Sequence, residues 1–346
     1  MRVAFVYYLA FVVLSFSMAR ADVRLFPVSA KDTARYTASQ QLRRELDSGM
    51  AGIVRDLIHP KYLNDPEVFG DFLGRCSTGT ARTTMIDEER GLYPERGLVK
   101  LGRGGDRCIV TYGSFDPKGG RTYAHCIEKM ITSLKNTEFD GYLYYRKGGY
   151  PEPEGWELGY ADLSYAFKPA MLKEAHALGF SSCLWIDAPF MANKSPDHLF
   201  RLIEREGGVF NLGLVRGRGH KRFEYELDRF CFPRTVSVIE EFVGSRIDLK
   251  ITANVFGLRM NDERSRIFLE KYDEMVRMRS PFYSCFPEEF VLSALLSLPM
   301  FRSWPVQLPF VLGVDCDESL MERRGEFYFS RLLVDRPDLD FCVPTF

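Results

Sequence analysis

Asp187 closes a short apolar run, Ser181-Ser182-Cys183-Leu184-Trp185-Ile186. Read as a buried strand, that run carries the carboxylate to a strand's carboxyl end, where open α/β sheets bind ligands. Capping a loop or helix is the alternative use of such an aspartate. A second concentration of acid is the pair Glu288 and Glu289 after Pro287, a helix start whose dipole favours acids with or without chemistry. Arg216, Arg218 and Lys221 make a glycine-rich basic loop that could meet phosphate or simply face water. Other chemistries find no support. The five histidines are scattered, with no H-E-x-x-H pair for zinc. No G-x-S-x-G elbow marks a serine hydrolase. Gly102-Arg103-Gly104-Gly105 lacks the Gly-Lys-Ser/Thr of a P-loop.

The elements that must position these residues are readable. Before Asp187, Pro169 suits a first helical turn, Met171, Leu172, Ala175 and Leu178 share a helical face, and Gly179 suits a left-handed stop. Upstream, Cys108-Ile109-Val110-Thr111-Tyr112 reads as a strand ending at Gly113-Ser114. A helix follows, with Tyr123, Cys126, Ile127, Met130, Ile131 and Leu134 on one side, then a strand from Gly141 to Tyr145. Downstream, Ser195-Pro196-Asp197 starts a helix that Gly207-Gly208 stops, and Val209 to Gly213 is a strand. A helix over 235–243, a strand over 251–257, a helix capped by Asn261 and a helix from Pro287 complete the pattern, with a late strand over 307–314. Strands alternating with helices predict an α/β fold: a mostly parallel sheet with helices on both faces.

With 346 residues, 46% hydrophobic, the chain can bury a large core. Its 46 basic and 47 acidic side chains leave no electrostatic footprint for nucleic acid. Residues 3–18 are uncharged and mostly apolar, and Ala19-Arg20-Ala21 fits a cleavage site, so 1–21 reads as a secretory signal peptide. A retained anchor, associating with a membrane through 3–18, is the rival; the run is short against a full span of about 20 residues. Either way the expected address is the secretory pathway. Residues 22–105 read as a partly helical extension or stem, and 106–346 as the main domain. None of the eight cysteines forms a C-x-x-C pair. An exported chain could pair some of them, while Cys108, Cys126 and Cys183 fall on positions that suit buried thiols.

Three features, spread over about residues 106–300, resemble the GT-A-type glycosyltransferases that use nucleotide-sugar donors. They are the strand and turn Ile109 to Ser114; Tyr165-Ala166-Phe167-Lys168-Pro169 followed by Leu184-Trp185-Ile186-Asp187-Ala188; and Asn254-Val255-Phe256-Gly257 followed by Pro287-Glu288-Glu289-Phe290-Val291-Leu292-Ser293. The resemblance implies a GT-A-like fold and transfer of a sugar from a nucleotide-sugar to a hydroxyl on a glycan, protein or lipid acceptor. It implies that Tyr112, Gly113 and Ser114 hold base and ribose. Asp187 would take the place of the first acid of a D-x-D motif, touching ribose or a bridging Mn²⁺ or Mg²⁺. Lys168 would be a point charge toward phosphate, and Glu288 or Glu289 would take the acceptor's proton. The second acid of the motif is missing, because Pro189 stands there; a literal D-x-D occurs late, at Asp315 and Asp317. That departure keeps two alternatives open: an exported binding or effector protein retaining the fold without the chemistry, and a glycoside hydrolase with paired carboxylates.

Overall fold

The computed structural model describes residues 23–26, 94–113, 123–149, 165–215, 233–282, 286–306 and 329–331, with single positions at 151, 160, 163, 227, 231 and 284. Residues 1–21, most of the extension, Ser114, the basic loop at Arg216, Arg218 and Lys221, the 307–314 segment, and Asp315 and Asp317 lie outside the described residues.

The strands are β1 (Val23–Phe26), β2 (Glu95–Leu101), β3 (Arg107–Gly113), β4 (Gly141–Lys147), β5 (Ser182–Ile186), β6 (Phe190–Ala192), β7 (Gly208–Val215), β8 (Leu249–Arg259), β9 (Pro305–Val306) and β10 (Phe329–Arg331). The helices are α1 (Tyr123–Lys135), α2 (Lys168–Ala177), α3 (Asp197–Glu206), α4 (Pro233–Val243), α5 (Glu263–Met278) and α6 (Pro287–Leu296). Eight strands form one sheet in the order β1-β2-β4-β3-β5-β8-β7-β9, and β10 pairs with β6.

The chain is α/β, but its sheet is mixed, not mostly parallel. β3 runs parallel to β4 and β5, and β7 to β9. The pairs β1–β2, β2–β4, β5–β8 and β7–β8 are antiparallel. The physical reason is burial. Helices cover both faces, so an antiparallel strand such as β8 reads as the continuous apolar run normally associated with parallel strands; Ala253 to Leu258 are all buried. β1 and β2 come from the segment read as an extension, so part of that segment belongs to the sheet. Gly97 permits this, since a Cβ there would strike the Tyr145 ring.

Strand alternation sorts the core into two layers. Cys108, Val110, Tyr112, Cys183, Trp185 and Phe256 face one way, toward α2, α4, α5 and α6. Ile109, Leu143, Leu184, Ile186 and Val255 face the other, toward α1 and α3. Two local readings shift. Leu178 is 40% exposed rather than on the buried face of α2, because the helix ends at Ala177. Asp262, not Asn261, caps α5, accepting from the Arg264 N–H at 2.9 Å. The glycine stops hold, with Gly179 at φ +104° and Gly207 at φ +87°.

Candidate functional site

β3 leads to β4 on one side, and the chain then crosses to place β5 on the other side of β3. In open α/β sheets ligands bind beside such a reversal, at the strands' carboxyl ends. Val110 pairs with Trp185, so Tyr112 and Asp187, each two residues further along, close neighbouring parallel strands at the same end of the sheet. The Asp187 side chain is 28% exposed. Its Oδ1 accepts from Trp185 Nε1 at 2.7 Å and lies 3.0 Å from Lys168 Nζ. One oxygen is thus fixed by the protein.

Lys168 begins α2, which is secured further along where Glu174 meets Arg146 and Tyr144 Oη of β4. Its ammonium is buried and touches three acceptors: Asp187 Oδ1, Glu288 Oε1 at 2.8 Å and the Ala253 carbonyl at 3.0 Å. An ammonium has three N–H donors, so all three are used within the protein. Burial by itself would depress the Lys168 pKa. The charges of Asp187 and Glu288 and their hydrogen bonds overcome it and hold the group above its ordinary value.

The third partner explains the geometry. β7 and β8 fall out of register between Phe210↔Phe256 and Leu212↔Ile251, so β8 bulges there. Within the bulge, and before Val255 where the β5 pairing ends, backbone groups must find other partners. Helix α6 and the residue after it supply them from one face: Ser297 Oγ accepts from the Asp248 N–H at 3.4 Å, Ser293 Oγ from Ile251 at 2.9 Å, and Glu289 Oε1 from Ala253 at 3.3 Å. These residues are four apart, as one helical face requires. Lys168 takes the Ala253 carbonyl from the other side, and the Asn254 carbonyl accepts from the Asp187 N–H at 2.9 Å. The sequence segments around Lys168, Asp187, Asn254 and Glu288-Glu289 therefore meet in one cluster.

The two glutamates are not equivalent. Glu288 holds Lys168, and its Oε2 is buried without a hydrogen-bond partner among the described residues. Glu289 Oε2 lies 3.3 Å from Lys250 Nζ. Burial raises the Glu289 pKa to about 7, with Lys250 opposing and Glu288 reinforcing the rise. A carboxyl near that value can exchange a proton at neutral pH.

Tyr112 and Gly113 are at the right end of β3, but the Tyr112 ring is buried. It is 6% exposed, packs on Phe167 at 4.6 Å between centroids, and its hydroxyl donates to the Gly149 carbonyl. The Gly113 carbonyl accepts from the Gly148 N–H at 2.9 Å.

Sequence reasoning missed Lys250, Ala253 and Asn211. Asn211 Nδ2 donates to Asn254 Oδ1 at 3.2 Å, and Asn254 Nδ2 is buried without a partner among the described residues. The signal that could have found Asn211 was an asparagine inside each of two apolar strands, an arrangement that burial penalises unless the amides are paired; nothing of that kind marks Lys250 or Ala253.

No group of three or more His, Cys, Asp or Glu side chains suited to a metal occurs among the described residues. Among the described residues Asp187 offers one carboxylate, with Lys168 already on it, fewer oxygen ligands than Mg²⁺ or Mn²⁺ takes. Cys108 and Cys183 are buried free thiols, and Cys126 and Cys231 are buried as well. No helix among the described residues is long and apolar enough to cross a membrane. Comparison with protein-family models found no match, and comparison with curated proteins found none.

Proposed function

We propose that the chain is a GT-A-like glycosyltransferase, moving a sugar from a nucleotide-sugar to a hydroxyl of a glycan, protein or lipid acceptor. One observation carries this reading: Asp187 ends β5 beside the end of β3, at the strand-order reversal where α/β sheets bind ligands. With Oδ1 fixed by Trp185 and Lys168, Oδ2 of Asp187 accepts donor hydroxyls. Lys168 is a positioning residue in this account, since its three donors are spent on Asp187, Glu288 and Ala253 rather than on phosphate. Glu289 receives the acceptor hydroxyl's proton as its oxygen attacks the anomeric carbon and the nucleoside diphosphate departs. A divalent ion would offset charge on that leaving group, but Asp187 does not hold one alone, so no step here depends on it.

Incubating the protein with radiolabelled nucleotide-sugars, with and without Mn²⁺, tests the proposal. Transfer to an acceptor, or slow donor hydrolysis, is the expected result. Wild-type protein that neither binds nor turns over any donor would remove it. A second reading is favoured by a specific observation: Asp187 and Glu288 are both engaged by Lys168, as in a purely structural ion cluster. In that case the chain is an exported binding or effector protein, and nucleotide binding without turnover is its signature.

A further inference from the structure

Tyr165 holds a backbone conformation that its residue type disfavours. Its φ is +59°, one of two non-glycine residues with positive φ among those described. A side chain in that region carries strain that glycine or asparagine largely escapes. The turn is held in place around it. The Ala166 N–H donates to the Leu163 carbonyl at 3.2 Å, the Ala166 carbonyl accepts from Tyr272 Oη at 3.1 Å, and the Lys168 N–H returns to the Tyr165 carbonyl at 3.2 Å. Ala166 and Phe167 are buried, whereas Tyr165 is 47% exposed. The strain thus turns one aromatic ring outward between residues that anchor the core. Strain of this kind persists where the surroundings over-determine it, and it concentrates at functional sites.

The ring's position gives the strain a purpose. Its centroid is 5.3 Å from Lys168 Nζ, the ammonium that also contacts Asp187 and Glu288. A partly exposed tyrosine ring therefore borders the carboxylate cluster. We infer that Tyr165 is a stacking platform for a ring of the bound ligand, either the nucleobase or the apolar face of the donor's sugar. This rests on the proposed donor site and names a binding residue within it. A tyrosine ring suits that task because it offers a large rigid face at small entropic cost.

The test compares Tyr165→Asn and Tyr165→Phe with wild type. Asparagine tolerates the positive φ, so Tyr165→Asn keeps the turn and removes the ring; Tyr165→Gly is the second variant, free of backbone strain. Calorimetry uses uridine, guanosine, adenosine and cytidine diphosphates and their hexose conjugates. The expected result is an affinity about tenfold weaker for Tyr165→Asn and Tyr165→Gly, in line with a stacking contact, and near wild type for Tyr165→Phe. Loss for the free diphosphates assigns the platform to the base, and loss for the sugar conjugates alone assigns it to the sugar. Wild-type binding that both ring-deleting variants retain in full overturns the platform and leaves the donor site standing. Wild-type protein that binds none of these compounds overturns both.

Discussion

The ammonium of Lys168 donates to the carbonyl of Ala253 at 3.0 Å, bridging the start of α2 to the bulge of β8. That contact ties the first turn of a helix to the middle of the sheet and brings Asp187 and Glu288 onto the same nitrogen. The site and the fold share this residue, so substitutions here separate structure from chemistry only when partners are changed together.

Removing the ammonium leaves Glu288 a buried carboxylate without compensation. Lys168→Met is expected to destabilise the protein by about 3–5 kcal/mol, the usual cost of orphaning one member of a buried ion pair. Adding Glu288→Gln should return part of that loss. Urea denaturation of both single variants and the double variant measures the coupling; strictly additive losses would show that the pair is not energetically linked.

Glu289 makes stability depend on pH with a defined sign. Burial raises its folded pKa to about 7, above its ordinary value near 4.5. Between those values the folded state binds the proton more tightly, so this group's contribution falls as pH rises through that window and reaches its minimum above pH 7. Glu289→Gln should flatten this part of the profile and be relatively more favourable at about pH 8 than at about pH 5. Chemical denaturation at a series of pH values checks it. A wild-type profile that is unchanged by the substitution would contradict the assignment. If Glu289 is also the proton acceptor, turnover rises with pH through the same range.

The β5–β8 pairing makes a steric prediction. A Cβ on Gly257 would strike Ile203 Cδ1 and lie 2.8 Å from the Cys183 carbonyl. The isoleucine can move; the carbonyl belongs to the partner strand. Gly257→Ala should therefore cost at least about 1–3 kcal/mol by overpacking. Gly244, at φ +66° with open space where a methyl would go, should cost less for the same change, through backbone strain alone. Thermal melts of the two variants compare them directly.

Much of this architecture was legible in the sequence, for reasons that also mark where legibility ended. Pro169 and Gly179 bracket α2, and Ser195-Pro196-Asp197 opens α3, because caps and breakers act within a few residues. Strand direction is different. β8 is buried on both faces, and no local signal distinguishes its antiparallel course. β2 was hidden in the segment read as an extension because Gly97 interrupts its alternation while packing on Tyr145. Asp187, Lys168 and Glu288 were each identifiable as candidates, but their common meeting point depends on Ala253. A backbone bulge created by a register shift between β7 and β8 has no residue type of its own.

The central claim is that Asp187 presents an open oxygen to a nucleotide-sugar donor. Titrating the nucleotide panel into wild type and Asp187→Asn by calorimetry tests it most directly, with matched unfolding curves to show that both are folded. The account predicts measurable binding of at least one nucleotide-sugar to wild type and a loss of about tenfold or more in Asp187→Asn, as expected for a charged hydrogen-bond acceptor. Equal affinities in the two proteins, or no binding by wild type, would contradict it.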